Sequence, residues 1–284
     1  MEILRLPNEL LLLIVENLSV KDLSHLLLAN RRLSSVLTPH LHSLALQDVG
    51  TLTALQWAAT HGHVSLAEFV ISNGAEVDKP DLRQLGQTAL HAAAAHDHPD
   101  VIRLLAKHGA RIAATDAALQ TPLHRAVVSW SSGAARALLE LGANMTCTDK
   151  WGESPARGAA YWGGINCMRA FVDAGLDFSH KDAHGRTILH DAIISGANMV
   201  EYLLGNGGRQ VINARDFTGA TPLHEALTNS LGDERVVRLL LRHGADTEVK
   251  DNQGHTPLDY DALYAGGMFT KVLLECRAKP LDCE

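Results

Sequence analysis

Aromatic residues are scarce in this chain of 284 residues, where Phe, Trp and Tyr together make up 5%. A β-sandwich core is built on such side chains, so their scarcity, together with 23 glycines, points to small, closely packed helices and tight turns. Cysteine is scarcer still. Cys147, Cys167, Cys276 and Cys283 form no CxxC pair and no evenly spaced framework, which argues against a disulfide scaffold or a zinc cluster and fits a reducing compartment. Positive charge is in deficit. A formal charge of -7 leaves no surplus for a phosphate-binding groove, so nucleic acid is not an expected partner. Long apolar runs are missing as well. The one near the start, Leu10 to Val15, ends at Glu16, and acidic Glu2 and Glu9 stand where a secretion signal carries positive charge. No stretch approaches the roughly 20 apolar residues that span a bilayer. The expectation is an intracellular protein, cytoplasmic or nuclear, with no membrane partner and with enough apolar content, 46%, for a buried core.

What the sequence holds in abundance is a phrase of the form T-x-L-x-x-A. It reads TALQWAA at Thr53, TALHAAA at Thr88, TPLHRAV at Thr121, SPARGAA at Ser154, TILHDAI at Thr187, TPLHEAL at Thr221 and TPLDYDA at Thr256. The successive spacings are 35, 33, 33, 33, 34 and 35 residues, the mark of one supersecondary unit repeated. Thr or Ser is placed to cap a helix, and Pro122, Pro155, Pro222 and Pro257 take the first helical position, where a missing N–H costs nothing. Small alanines let a second helix approach closely. In that second helix Val101, Leu104 and Leu105, like Val236, Leu239 and Leu240, lie at i, i+3, i+4 and make one apolar stripe. Gly74, Gly109, Gly142, Gly175 and Gly244 follow the stripe, where a left-handed residue ends a helix. A single helix pair cannot bury such a stripe, so neighbouring units must stack.

These residues resemble an ankyrin-repeat array, with that family's TPLH at Thr121 to His124 and Thr221 to His224 and its GAD at Gly244 to Asp246. The resemblance implies an all-α solenoid of about seven repeats over residues 51–280, each with two antiparallel helices and a projecting finger, followed by a tail at 281–284. Inner helices are expected to start near 53, 88, 121, 154, 187, 221 and 256. Two repeats depart from the pattern. Ser154 and Arg157 replace Thr and His in the fourth, which alters its hydrogen bonding, and Asp259 replaces His in the last, as in a terminal cap. The repeat also accounts for most of the 16 histidines that could be mistaken for metal ligands. His91, His124, His190 and His224 recur at one register, where the family's ring bonds backbone and the next repeat, and His63 and His98 open the second helix. No GxSxG, HExxH or phosphate loop is present, and a solenoid lacks a deep central cavity, so neither catalysis nor a cofactor or metal is expected.

Ahead of the array, Leu10, Leu11, Ile14 and Leu18 fall on one helical face after the start signal Pro7-Asn8-Glu9. Ser19, with Asp22 three residues on, opens a second helix carrying Leu23, Leu26 and Leu27, and a third begins near Asn30 with Leu33, Val36 and Leu37. Three helices so short bury too little to stand alone. The pattern LPxELLxxIxxxLxxxDLxxLxxxxRRL is similar to the F-box motif, matching at Leu6, Pro7, Glu9, Leu10, Leu11, Ile14, Leu18, Asp22, Leu23, Leu26, Arg31 and Arg32. It departs at Leu33, where the family has Trp, and at Ala29-Asn30, where it has Val-Cys. The resemblance implies that residues 1–39 bind the Skp-type adaptor of a cullin–RING ubiquitin ligase through Leu6, Pro7, Leu10, Leu11, Ile14, Leu18, Leu23 and Leu26. Residues 40–50 would then form a helical junction, and the array would recruit a protein substrate to the cullin scaffold. The other reading is a plain ankyrin scaffold or inhibitor whose leucine-rich helices only cap the first repeat.

Three of the four tryptophans, Trp130, Trp151 and Trp162, fall with Tyr161 at the recognition positions of the third and fourth repeats, and His184 and Phe217 occupy neighbouring finger tips. Clustered exposed aromatics hide much area at little rotamer entropy, so these six are the expected substrate-protein contacts. Trp130 carries a second reading as well: it stands where the family has Gly and could fill space there.

Overall fold

In the computed structural model, which describes residues 51–81, 85–162, 164–228 and 233–278, with side chains from 54 to 275 within those ranges, helices follow one another in pairs. The F-box-like segment 1–39, the junction 40–50 and the tail 281–284 lie outside the described residues. The chain divides into two compact units, one ending at Ala143 and one starting at Asn144. The first contains α1 (Thr51–His61), α2 (Val64–Ser72), α3 (Ala89–Ala95), α4 (Pro99–Lys107), α5 (Pro122–Val128) and α6 (Ser132–Glu140). The second contains α7 (Pro155–Tyr161), α8 (Ile165–Asp173), α9 (Ile188–Ser195), α10 (Ala197–Gly205), α11 (Pro222–Thr228), α12 (Glu234–Arg242), α13 (Pro257–Tyr264) and α14 (Thr270–Ala278), with a 3-10 turn at Gly208–Val211. Within each unit the inner helices stack in a row, α1 on α3 on α5 and α7 on α9 on α11 on α13. The outer helices stack beside them, α2 on α4 on α6 in the first unit and α10 on α12 in the second. Among the described residues β structure is limited to an isolated bridge between Asp81 and Gln87, and each unit is an all-α stack of helix pairs.

The recurring phrase works through a reciprocal cap. Thr88, Thr121 and Thr187 are extended residues at the N-caps of α3, α5 and α9, and the His three residues later completes a capping box with each. The Thr88 N–H donates to His91 Nδ1 at 3.2 Å, and the far side of the ring, Nε2, lies 2.9 Å from the Gln120 carbonyl of the following finger. Since Nδ1 accepts a backbone N–H, the proton sits on Nε2 and is donated onward. His190 reaches the Ala220 carbonyl at 3.5 Å and His224 the His255 carbonyl at 3.3 Å in the same way. In the last repeat Asp259 takes over the near half of this task, its carboxylate accepting from Thr256 N at 2.8 Å and Thr256 Oγ1 at 2.7 Å. The first repeat has Gln56 at that register. There α1 begins at Thr51, two residues before the expected cap Thr53, and both Gln56 amide atoms are buried without a hydrogen-bond partner.

Packing follows the expected stripe. Val101, Leu104, Leu105, Val236 and Leu240 are buried, whereas Leu239 is half-exposed and belongs to the outer surface instead. The fully buried Leu105, Leu123, Leu138, Phe171 and Phe269 each contribute about 1.5–3 kcal/mol by leaving water. Alanines 92, 93 and 94 are buried on α3, which is what allows its close packing on both neighbours. The five glycines expected to close outer helices all have positive φ, between 82° and 96°.

Burial lowers the proton affinity of the His91, His190 and His224 rings below the ordinary value of 6.5, more than the carbonyl each ring meets raises it. The unfolded chain therefore binds more protons than the folded one just below that value. The stability these rings contribute is complete above about pH 7 and is lost as pH falls through 6.5 toward their lower folded values. A melting-temperature series should be flat from about pH 8 to 7 and decline below. The decline should be smaller in His190→Gln, which titrates at neither pH.

Candidate functional site

Among the described residues five finger turns are each fixed by one aspartate. A single carboxylate oxygen of Asp116 accepts N–H groups from Ala118 and Gln120, that of Asp149 from Trp151 and Glu153, and that of Asp182 from His184 and Arg186. Asp216 and Asp251 hold their turns alike, through residues two and four positions on. The turn is made by the aspartate and the backbone, so the side chains at the tip are free to vary.

In the second unit successive tips are joined edge to edge. Phe217 N donates to His184 O at 2.9 Å, Asn252 N to Thr218 O at 2.9 Å, and the Asn252 side chain to Phe217 O at 2.8 Å. The Phe217 ring, 68% exposed, lies across Gly185, where an added Cβ would come within 2.5 Å of the ring. Gly185 also has φ of +78°, so both the backbone and the ring above it require glycine. His184 is exposed beside this pair. Trp151 is 64% exposed, with the Lys150 ammonium 4.3 Å from its ring centroid, a cation–π contact. Tyr161, in the last turn of α7, and Trp162 just beyond meet edge to face with centroids 5.0 Å apart, 41% and 58% exposed. The structure thus pairs Tyr161 with Trp162 and His184 with Phe217, while Trp151 stands with Lys150.

Trp130 belongs to the first unit. It occupies the turn between α5 and α6 with φ of +58°, and its ring is 68% exposed. The corresponding turn residues are Gly62 and Gly196, which tolerate positive φ, and Asp97, which also has φ of +58°. Asp97 has a compensating role: its carboxylate accepts the Ala134 N–H of α6 at 2.7 Å. A ring so exposed does not fill space, so the packing explanation of Trp130 fails. Trp57 is the contrast, half-buried and stacked on His61 at 4.1 Å and His63 at 5.0 Å.

One cluster escaped the sequence reading. Arg157, at the histidine register of the fourth repeat, donates from Nε to Asp191 Oδ2 at 2.7 Å and from Nη2 to Asp191 Oδ1 at 2.9 Å. Its Nη1 lies 2.9 Å from Asp182 Oδ2, and Arg186 Nη2 donates to Asp191 Oδ1 at 2.8 Å. The bonds to Asp191 hold the Arg157 proton against the opposing effect of burial. Burial pushes the Asp182 carboxyl up, but the Arg186 and His184 N–H groups and the two guanidiniums outweigh it and hold the group below its usual range. Arg157 replaces the inter-repeat histidine bond with a charged one and steadies the finger that carries His184. The available signal was an arginine at the histidine register with a carboxylate 34 residues on.

A β-carbon in the left-handed region costs about 1–2 kcal/mol, and Trp130 recovers little of it through packing. Trp130→Gly should therefore raise stability by about 1 kcal/mol in urea unfolding. A loss of stability would mean that the ring is structural after all.

Models of the ankyrin repeat in three copies match residues 79–149 and 123–216, and the single ankyrin repeat matches 52–82 and 218–252. Ankyrin repeat and SOCS box protein 16 of Mus musculus is 33% identical over 217 residues, 71% of this chain and 45% of that protein. Diacylglycerol kinase zeta of Rattus norvegicus is 35% identical over 79 residues, 28% of this chain and 8% of that one. The chain thus spans less than half the length of either curated relative. Among solved structures, the ankyrin repeat domain of Bcl-3, a member of the IkappaB protein family, superposes with a TM-score of 0.65 at 29% identity, covering 73% of this chain and 92% of that one. The human ASB11 ankyrin repeat domain gives 0.63 at 26% identity, covering 78% and 96%. The matching models describe a fold that serves as a protein-interaction scaffold, and none of them is catalytic. The chain belongs to the ankyrin-repeat family.

Proposed function

We propose that this chain is the substrate-recruiting adaptor of an SCF-type ubiquitin ligase. Residues 1–39 dock on the Skp-type adaptor, and through it on the cullin scaffold, while the array holds a target protein. The observation that carries this reading is the LPNELLLLIVENLSVKDLSHLLLANRRL phrase standing directly ahead of an ankyrin array. Its leucines repeat at helical spacing, and its resemblance to the F-box motif implies Leu6, Pro7, Leu10, Leu11, Ile14, Leu18, Leu23 and Leu26 as the docking residues. The mouse relative, by its name, pairs ankyrin repeats with a SOCS box and so gives a precedent for such an array joined to a box-type module.

Each unit carries target contacts of its own, Trp130 on the first and Trp151, Tyr161, Trp162, His184 and Phe217 on the second. Trp151, His184 and Phe217 stand on turns fixed by aspartate and are rigid anchors that lose little entropy on binding. The chain makes and breaks no bond itself. Its contribution to ubiquitin transfer is to hold the target at a set position relative to the ligase core. A scaffold or inhibitor with no ligase link is the second reading, favoured by the likeness to the Bcl-3 ankyrin domain.

Purified full-length chain should capture the Skp-type adaptor, and Leu10→Asp with Ile14→Asp should abolish capture while leaving the array's melting transition in place. Failure of the wild type to capture it would overturn the ligase reading in favour of the scaffold. For targets recovered with the wild-type chain, Trp151→Ala or Trp162→Ala should each weaken binding by about 2 kcal/mol or more with helical content unchanged. Unaltered affinity in both would remove these residues from the site.

A further inference from the structure

The first two repeats meet at a cluster of imidazoles. His61, the last residue of α1, and His63, at the N-cap of α2, both stack on Trp57, with ring centroids 4.1 Å and 5.0 Å from the indole. The His61 ring is held there by its Nδ1, which lies 2.9 Å from the Trp57 carbonyl. His98, at the N-cap of α4, crosses over from the second repeat. Its Nε2–H donates to the Thr60 carbonyl at 3.0 Å, and its ring lies so close over Gly62 that an added Cβ would come within 2.6 Å of Nδ1. Since α1 packs on α3 and α2 on α4, the reach of His98 closes the helix–helix turn of one repeat onto the next. His96, at the C-cap of α3, acts on the same group.

This cluster suits neutral rings and resists charged ones. His63 Nε2 is buried and has no hydrogen-bond partner, so the neutral ring keeps its proton on Nδ1. Charging the ring puts an N–H on the buried Nε2, where no acceptor meets it. Burial, and after it the charges of His61 and His98, lowers the proton affinity of His63. Desolvation does the same to His96, followed by His98, His61 and Arg125 of α5. The carboxylates of these helices are engaged elsewhere or face water: Asp97 accepts the Ala134 N–H at 2.7 Å, Asp100 pairs with Arg103 at 3.5 Å, and Glu68 of α2 is exposed. Stacking on indole offers a charged ring a cation–π contact, but two rings share Trp57 and repel each other when both are charged. Below pH 6.5 the opened joint takes up protons that the closed joint does not, so closure is complete above about pH 7 and weakens as pH falls through 6.5. The geometry points to an acid-sensitive latch: His61, His63 and His98 hold the first repeat against the second while neutral, and free α1 and α2 from the array as they take up protons. The latch shares no residue with the finger tips or with residues 1–39, so it stands or falls independently of the ligase reading.

The test is amide hydrogen exchange of the full chain at about pH 7.5 and about pH 5.5, corrected for the intrinsic pH dependence of exchange. It compares α1 and α2 with α7 and α8, whose repeat carries no histidine between Ser154 and Ala174. In the wild type, protection of α1 and α2 should fall at least about threefold more than that of α7 and α8, since one proton taken up on opening is worth up to about tenfold per pH unit. His63→Phe keeps a ring on Trp57 but does not titrate, and should remove most of this excess. His98→Gln keeps a donor for the Thr60 carbonyl and should reduce it, while His108→Gln, just past the far end of α4, should leave it unchanged. Equal loss of protection by the two helix pairs in the wild type would overturn the inference. So would the full excess persisting in both His63→Phe and His98→Gln, or an equal reduction by His108→Gln. If His63→Phe lacks a cooperative melting transition, His98→Gln decides alone.

Discussion

The ring of His91 accepts the N–H that opens its own helix while donating to the carbonyl of the next finger, and both bonds require one neutral tautomer. His190 and His224 repeat the arrangement, so helix initiation within a repeat and docking onto the next are tied to the same side chain. Everything else in the array is placed by this coupling. The extended Thr turns the chain out of the finger, the inner helix starts at a fixed height, and the alanines behind it set how near the outer helix can come. Where the histidine is absent the geometry shifts in a way that follows from its chemistry. Gln56 forms no cap and α1 starts early, Asp259 caps without reaching onward, and Arg157 reaches onward through charge.

A second economy lies in the fingers. Because one aspartate oxygen closes the turn through two backbone N–H groups, the tip side chains are not what closes it, although that of Asn252 joins the neighbouring tip at the Phe217 carbonyl and Phe217 covers Gly185. Lys150-Trp151, Ala183-His184 and Phe217-Thr218 can therefore differ from repeat to repeat without altering the path of the chain. Rigidity and variability, which usually compete, are separated here between the root and the tip of the same turn. The turn between inner and outer helix is less permissive, because it demands positive φ. Trp130 occupies it at a steric cost and without the hydrogen bond by which Asp97 compensates.

Much of this architecture was legible in the sequence, because its determinants are local. The Thr and Pro at helix starts, the glycine at helix ends and the i, i+3, i+4 stripe depend on neighbours within a turn or two, and α1, which starts at Thr51, and Leu239, which is half-exposed, depart from the pattern. What could not be read depends on geometry across repeats. Arg157 announced an altered hydrogen bond, but its partner could not be chosen from sequence among the carboxylates of the following repeat; only the burial of Asp191 and Asp182 decides it. Trp130 was open to two interpretations until the exposure of its ring excluded one. Leu239 belongs to the same periodic stripe as Leu240 yet is half-exposed, although Leu104 at the equivalent position of α4 is buried, so its exposure depends on the neighbouring helices and not on the pattern.

The Arg157 cluster bears on how such an array changes over generations. Three interfaces between repeats use interchangeable parts, a histidine on one side and a main-chain carbonyl on the other, so duplication or loss of a repeat there leaves a serviceable joint. The joint between the fourth and fifth repeats is not interchangeable. Excising the fifth would strand the Arg157 guanidinium, and excising the fourth would leave Asp191 with Arg186 alone, each leaving charge buried without its full complement. These two repeats can be inherited, shuffled or transplanted only as a pair.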